Sequence, residues 1–320
     1  MALSTSLRRN GTGTAAREIA PGVGWLPLSL VNVYLVGRPG AGPWALVDTG
    51  MPTSGAQILR AAGQLFGDRP PAAIVVTHGH FDHRGSVREL AERWDVPVYA
   101  HRLELPYLTG RSDYPPPDPT VGGGALATFG SRLFPAHGID LGYRVHALPV
   151  DGEVPGMQGW RWVHTPGHTP GHVSFFRESD RVLIVGDAFV TQRQESLIGV
   201  LTSKQEVWRP PAYFTPDWEA ARRSVEELSR LDPQVAATGH GIPMDGPEMR
   251  LQLEDLARNF GHYMPMDGRY VRQPAVADET GVVALPPPVS DPLPLLLGLG
   301  AAALVGGAIL RSRRSQASQG

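Results

Sequence analysis

An α/β fold with two sheet layers covered by helices is what the 320-residue chain predicts, and three observations predict it. Short apolar runs of strand character come in series, are followed by amphipathic helical stretches, and the same succession then repeats. Several of these runs end abruptly in a histidine or aspartate. Finally, 320 residues with 42% hydrophobic content suffice for one large domain or two modest ones with a sizeable core. A charged fraction of 19% and a net charge of −2 describe neither an acidic disordered chain nor a nucleic-acid binder. Gly 38 and Pro 31 imply many loops and turns. The absence of cysteine excludes disulfide scaffolds, thiol nucleophiles, Cys-ligated zinc and iron–sulfur clusters, so any metal must be held by His and carboxylates. Lys204 is the single lysine, which excludes a lysine Schiff base at every other position.

Residues 1–20 are Arg- and Ser/Thr-rich without the apolar core of a signal peptide, and read as a disordered tail. VNVYLV (31–36) and WALVD (44–48) read as strands, the second ending in a Thr-Gly turn. Over 53–66, Ile58, Leu59, Ala62 and Leu65 fall at helical spacing. AIVV (73–76) is a short strand, followed by a helix from about Gly85 to Trp94 and the strand VPVYA (96–100). The segment 106–142, with YPPPDP and GGG and no periodicity, is expected to be a long loop insertion within a domain spanning 21–265. Strands resume near 143–149, 160–164, 172–176, 182–186 and 235–238, with helices at 216–231 and 246–261.

The C-terminal region changes character. Residues 266–292 read as a Pro-rich linker, and Leu293 to Leu310 carry no charged or polar side chain before RSRR and a basic tail, 311–320. Eighteen residues at 1.5 Å make about 27 Å, close to a bilayer core of ~30 Å, so a single transmembrane helix is expected at 293–310. Ala302, Ala303, Gly306 and Gly307 suggest close helix packing and a homodimer. The arginines after the span favour a cytoplasmic tail, but nothing at the N-terminus would export the domain. The expectation is a tail anchor with the catalytic domain on the cytoplasmic face.

The informative text is THGHFDH, which places His78, His80, Asp82 and His83 within six residues directly after an apolar strand. Histidine is the commonest neutral nitrogen ligand for zinc, and carboxylates supply oxygen. A sharp strand-to-helix turn can aim His78 and His80 at one position, and Asp82 and His83 at another. TPGHTPGH (165–172) adds His168 and His172, LIVGDAF (183–189) adds Asp187, and AATGHG (236–241) adds His240. ALVDTG (45–50) puts Asp48 at the end of a strand. A lone buried carboxylate after a strand is costly unless paired or metal-bound. Five strand ends presenting His or Asp therefore predict one convergent polar site. His101, His137, His146, His164 and His262 lie in no motif and are assigned to surface or core.

The order D-T-G, H-x-H-x-D-H, P-G-H-T, G-D and G-H-G resembles the metallo-β-lactamase-fold hydrolases over roughly residues 25–262, and within them the glyoxalase II- and lactonase-like group. The resemblance implies an αββα sandwich with its site at one edge of the two sheets. It implies two zinc ions or other divalent metals. One would be held by His78, His80 and His168, the other by Asp82, His83 and His240, with Asp187 bridging. Asp48 would hold the histidine loop without binding metal. His172 competes with His168 and is assigned to packing or hydrogen bonding nearby. The implied chemistry is attack of a metal-bridged hydroxide on an acyl carbon, with Asp82 as the catalytic carboxylate.

G-x-S-x-G and Walker-type motifs are absent, in keeping with a reaction that needs no side-chain nucleophile. The charge balance argues against RNA, and His80 stands where diiron oxygen-reducing relatives carry Glu. Glyoxalase-type glutathione residues near the chain's end find no match. Persulfide dioxygenases, with a single iron, usually continue the TPGHT element to a cysteine where this chain has His172. The expectation is a zinc-dependent hydrolase of an ester, thioester or lactone bond in a small, amphipathic substrate whose mouth the 106–142 insertion shapes. The alternatives are a non-catalytic, membrane-tethered binding or scaffold protein that keeps the fold, or a mononuclear-iron persulfide dioxygenase-like enzyme.

Overall fold

The computed structural model describes residues 15–290 except 123, 125 and 196–203. Contacts divide the chain into one unit ending at Pro286 and another, Pro287–Gly320, of which only 287–290 are described.

The first sheet has seven strands in chain order: β1 (Arg17–Ala20), β2 (Val23–Pro27), β3 (Asn32–Arg38), β4 (Ala41–Val47), β5 (Ala73–Val75), β6 (Val98–Ala100) and β7 (Val145–Ala147). β1 to β4 form an antiparallel meander, and β4 to β7 run parallel. The crossovers between parallel neighbours need long connections, and α1 (Gly55–Phe66) and α2 (Val87–Trp94) supply the first two. After β6 comes the short α3 (Leu105–Leu108). The second sheet has β8 (Trp160–His164), β9 (Val173–Arg177), β10 (Val182–Gly186), β11 (Val235–Thr238) and β12 (Met244–Asp245), in the order 12-11-10-9-8. α4 (Trp218–Arg230) crosses between the parallel β10 and β11, and α5 (Gly246–Arg258) follows β12. α4 starts where the Asp217 side chain accepts the Ala220 N–H at 2.9 Å, satisfying a donor the helix leaves unpaired.

Alternation along the strands builds the layers. Tyr34, Val36, Ala45, Val47 and Val75 face Val173, Phe175, Val182 and Ile184 in a core between the sheets. The neighbouring Leu35, Leu46 and Ile74 point the other way, onto Ile58, Ala62 and Leu90 of α1 and α2. On the far side, Phe176, Leu183 and Val185 meet Trp218, Val225, Met249 and Leu253 of α4 and α5. The result is an αββα sandwich.

Three expectations need correction. Arg17–Ala20 belong not to a disordered tail but to β1, paired to β2; residues 1–14 lie outside the described residues. The stretch 266–292 is not simply a linker. After α6 (Phe260–Tyr263) it forms α7 (Arg269–Arg272) and a hairpin of β13 (Val276–Asp278) and β14 (Gly281–Ala284). Tyr270 is buried there and donates to Pro116 O at 2.7 Å, while Asp118 accepts the Arg269 N–H at 2.6 Å. These bonds tie the segment to the 106–142 insertion, which has its own packed side chains in Tyr107, Leu108 and Tyr114.

The transmembrane helix, and with it the membrane anchor and its cytoplasmic-face placement, is not supported. Among the described residues no helix is long and apolar enough to cross a membrane. Their longest helices have 13 residues, about 20 Å, and bury one face on a sheet while the other meets water. Residues 293–310, and the small-residue dimer contact suggested there, lie outside the described residues.

Candidate metal centre

Five strand ends or connections meet at one edge of the sandwich: Asp48 after β4, His78 to His83 after β5, His168 between β8 and β9, Asp187 after β10 and His240 after β11. Backbone bonds lock the two sheets together there, with Val173 N–H on Thr77 O at 2.9 Å and Asn32 N–H on Gly239 O at 2.7 Å. Gly239 is required by space: a Cβ would lie 2.1 Å from Asp187 Oδ1 and 2.7 Å from His83 Cε1. The glycine before His240 thus lets two other site residues close in.

All seven candidate ligands converge. Ligand atoms of His78, His80 and His168 lie within 4.8 Å of one another, as do those of His78, His83 and Asp187, and those of Asp82, His83 and His240. Asp187 Oδ2 is 3.1 Å from His240 Nε2 and 3.5 Å from both His83 Nε2 and His168 Nε2. Asp82 Oδ2 is 3.4 Å from His240 Nε2, and His80 Nδ1 is 3.0 Å from His168 Nε2. Two nitrogens on one tetrahedral zinc, each at 2.0–2.1 Å, would stand about 3.3 Å apart, so these separations suit a shared cation. All but Asp82 are buried.

The donor set passes a stricter test. His78 Nε2, His83 Nε2 and Asp187 Oδ1 are buried with no hydrogen-bond partner, a costly state for polar atoms unless a cation completes it. The opposite ring nitrogens are occupied. Thr77 Oγ1 donates to Asp48 Oδ2 at 2.8 Å and so accepts from His78 Nδ1 at 3.1 Å. His83 Nδ1 donates to Asp48 Oδ2 at 2.8 Å, and His240 Nδ1 donates to Leu30 O at 2.7 Å. Each partner holds its ring with Nε2 aimed inward.

Charge is divided across the site. Burial, reinforced by neighbouring histidines, holds His78 and His80 well below the ordinary imidazole range, and burial takes His168 down to about 3. Three neutral imidazoles result. Burial also opposes charge on His83 and His240, but Asp187 with Asp48 and Asp82 outweighs it for His83, and Asp187 with Asp82 for His240, and both shift upward. Burial likewise disfavours the Asp187 carboxylate, yet His240 and His83 hold it well below its usual range. A divalent cation would take over the role of those protons.

Asp48 and His172 touch this cluster without facing its centre. Asp48 sits at φ +60°, a left-handed conformation that Asp tolerates, and accepts from Thr77 N–H, Thr77 Oγ1 and His83 Nδ1, each at 2.8 Å. His172 Nε2 accepts the Asp187 backbone N–H at 2.8 Å, and its Nδ1 lies 2.8 Å from Thr165 Oγ1. One of its nitrogens holds the Asp187 turn and the other is taken up by Thr165.

Several contributors carry no sequence motif. Asn32 Nδ2 donates to Thr238 O at 2.8 Å and Gly241 O at 2.6 Å, bracketing His240. A polar residue inside the apolar run VNVYLV was the available signal. Arg84 is buried beside the cluster, its Nε donating to Gly79 O at 2.6 Å. Glu104 reaches both histidine loops from a stretch with nothing to mark it. His137, assigned to surface or core, is exposed and lines the mouth of the cavity above the site.

That cavity has a volume of about 690 Å³. His80, Asp82, His168, Asp187 and His240 form its polar floor, and Leu30, Met51, Phe81, Phe134, Ile139 and Phe214 form apolar walls. Leu133, Phe134, Pro135, His137 and Ile139 come from the insertion. Leu133 is 85% exposed and Leu30 is 43% exposed, so the apolar lining continues onto the rim.

Comparison with known proteins agrees with this geometry. Residues 26–240 match the family model of the metallo-beta-lactamase superfamily. The Probable metallo-hydrolase YflN of Bacillus subtilis (strain 168) is 49% identical over 254 residues, covering 79% of this chain and 95% of its own length. The Probable metallo-hydrolase YybB of the same organism is 29% identical, over 67% of this chain and 80% of its own. A beta-lactamase domain protein from Burkholderia ambifaria superposes with a TM-score of 0.56 at 23% identity, covering 82% of this chain and 80% of that one, a likeness of fold. Sandwich, ligand order and sequence match together lead to one assignment: the chain belongs to the metallo-beta-lactamase superfamily.

Proposed function

We propose that the protein is a zinc-dependent hydrolase that cleaves ester, thioester or lactone bonds in substrates with an apolar body. The observation that carries this is the meeting of three overlapping ligand groups, with Asp187 Oδ2 within 3.5 Å of His83, His168 and His240, at the floor of an apolar cavity of about 690 Å³. His78, His80 and His168 would hold one ion, and Asp82, His83 and His240 a second, with Asp187 between them. Bound there, divalent ions supply Lewis acidity toward water and toward the substrate's acyl oxygen.

The chain's own groups do the rest. Phe81, Phe134 and Phe214 exclude solvent, which strengthens each electrostatic contact on the floor. Asp82 is the least buried of the seven, its side chain 16% exposed, and it faces the cavity beside His240. It is placed to accept a proton from the attacking water and pass it to the departing oxygen or sulfur. In that balance the water oxygen bonds to the acyl carbon, the carbon–oxygen or carbon–sulfur bond breaks, and the leaving group takes up the proton.

The test is metal analysis of the purified protein together with turnover of matched esters, thioesters and lactones of increasing acyl length. The reading expects about two zinc ions per chain, chelator-sensitive hydrolysis, and better kcat/KM for longer apolar acyl groups. A metal-replete protein inert toward all three bond types would overturn it.

A further inference from the structure

We propose that Glu104 is a positioning residue that locks together the two loops carrying His78, His80 and His168. It ends a short 3-10 turn (Arg102–Glu104), is fully buried, and lies outside every ligand group. Its Oε2 accepts the N–H of Gly79, the residue between His78 and His80, at 2.9 Å, and also accepts the Tyr114 hydroxyl. Its Oε1 accepts the Thr169 hydroxyl at 2.7 Å and the Gly171 N–H at 2.9 Å, both just after His168.

Four donors meet the roughly four lone-pair sites of a carboxylate. They come from three separate parts of the chain. The first sheet contributes the His78–His80 loop, the second sheet the His168 loop, and the insertion Tyr114. Arg84 donates to Gly79 O from the other side, so the Gly79 peptide is gripped at both ends. Tyr114 also packs its ring on His80, with centroids 4.8 Å apart. Only one of the two ligand sets, His78 with His80 and His168, depends on these loops being in register. The Asp82, His83 and His240 set has no bond to Glu104, and Asp48 and Leu30 hold His83 and His240 directly.

The inference rests on the reading of the cluster as a two-metal site, and selectivity separates the two. Glu104→Gln keeps the shape but turns one acceptor oxygen into a donating amide that faces two donors. Cobalt(II) titration of the metal-free full-length chain, followed by visible absorption, is the measurement. Wild type is expected to bind two equivalents. In Glu104→Gln one equivalent should weaken about 10–100-fold with an altered absorption envelope, while the other keeps wild-type affinity and spectrum. Wild-type behaviour of both equivalents, or equal weakening of both, overturns the inference. Failure of the wild type to bind cobalt overturns the two-metal reading and the inference with it. Should Glu104→Gln not fold, Tyr114→Phe removes one of the four donors and keeps the ring. A smaller weakening of the same single equivalent supports the inference, and an unchanged titration overturns it.

Discussion

His172 Nε2 accepts the backbone N–H of Asp187 at 2.8 Å, whereas His168, four residues earlier, directs Nε2 to the Asp187 carboxylate at 3.5 Å. The two histidines of one PGHTPGH repeat therefore serve the same aspartate differently, one through its backbone and one across the metal position. His168→Ala should remove about one metal equivalent and lower turnover by about 100-fold or more. His172→Gln should keep both metals but bind them about 10–100-fold more weakly. Metal content after dialysis, read with kcat, distinguishes them; loss of a full equivalent in the His172 variant would show that its nitrogens reach the centre.

Asp82 and His240 face each other across 3.4 Å in the second ligand set. Asp82→Ala is expected to weaken that metal site and cut kcat by about 100-fold or more. Near-normal kcat at saturating zinc would count against a two-metal reaction.

Phe134 lines the cavity from the insertion and packs on Phe81 and Phe214, with ring centroids 5.5 and 6.1 Å away. Phe134→Ala should raise KM for long-chain substrates by about tenfold or more, in keeping with the ~1.5–3 kcal/mol of a buried aromatic, and alter short-chain KM little. Zinc content should not move. An equal change for all chain lengths would assign the wall a structural role only.

His101 is buried against His164, their rings stacked at 4.1 Å, and burial with that neighbour pushes it down to about 3. The sign follows from linkage. A depressed folded-state value favours folding above the unfolded value of about 6.5, and this contribution is lost as pH falls from there towards 3. His101→Asn, which keeps an acceptor for Leu103 N–H, should flatten the decline in stability between pH 7 and 5 by about 2 kcal/mol. Urea unfolding of the metal-loaded protein at both pH values measures it. Parallel declines in the two proteins would show that His101 titrates normally.

Much of the site could be read from the chain because its chemistry is written in local clusters. His78, His80, Asp82 and His83 share one turn, and Asp48, Asp187 and His240 each follow a short apolar run that is plain in the text. The repeated succession of apolar strand runs and helical stretches foretold two sheet layers with helices outside. A local pattern has no information on what a distant segment will supply, and there the reading stopped. Glu104 and Asn32 act by hydrogen-bonding backbone groups far away in sequence, as Arg84 does at His137 O, which any polar side chain at the right spot could do. Tyr270 and Asp118 show the same limit, since a stretch with the composition of a linker is pinned to the insertion by bonds spanning some 150 residues. The candidate ligands were thus marked by short-range residue type and spacing. Which histidine of PGHTPGH faces the centre of the cluster, what braces the ligand loops, and where the apolar wall stands were decided by packing, because those outcomes depend on contacts that exist only once both sheets have closed on one another.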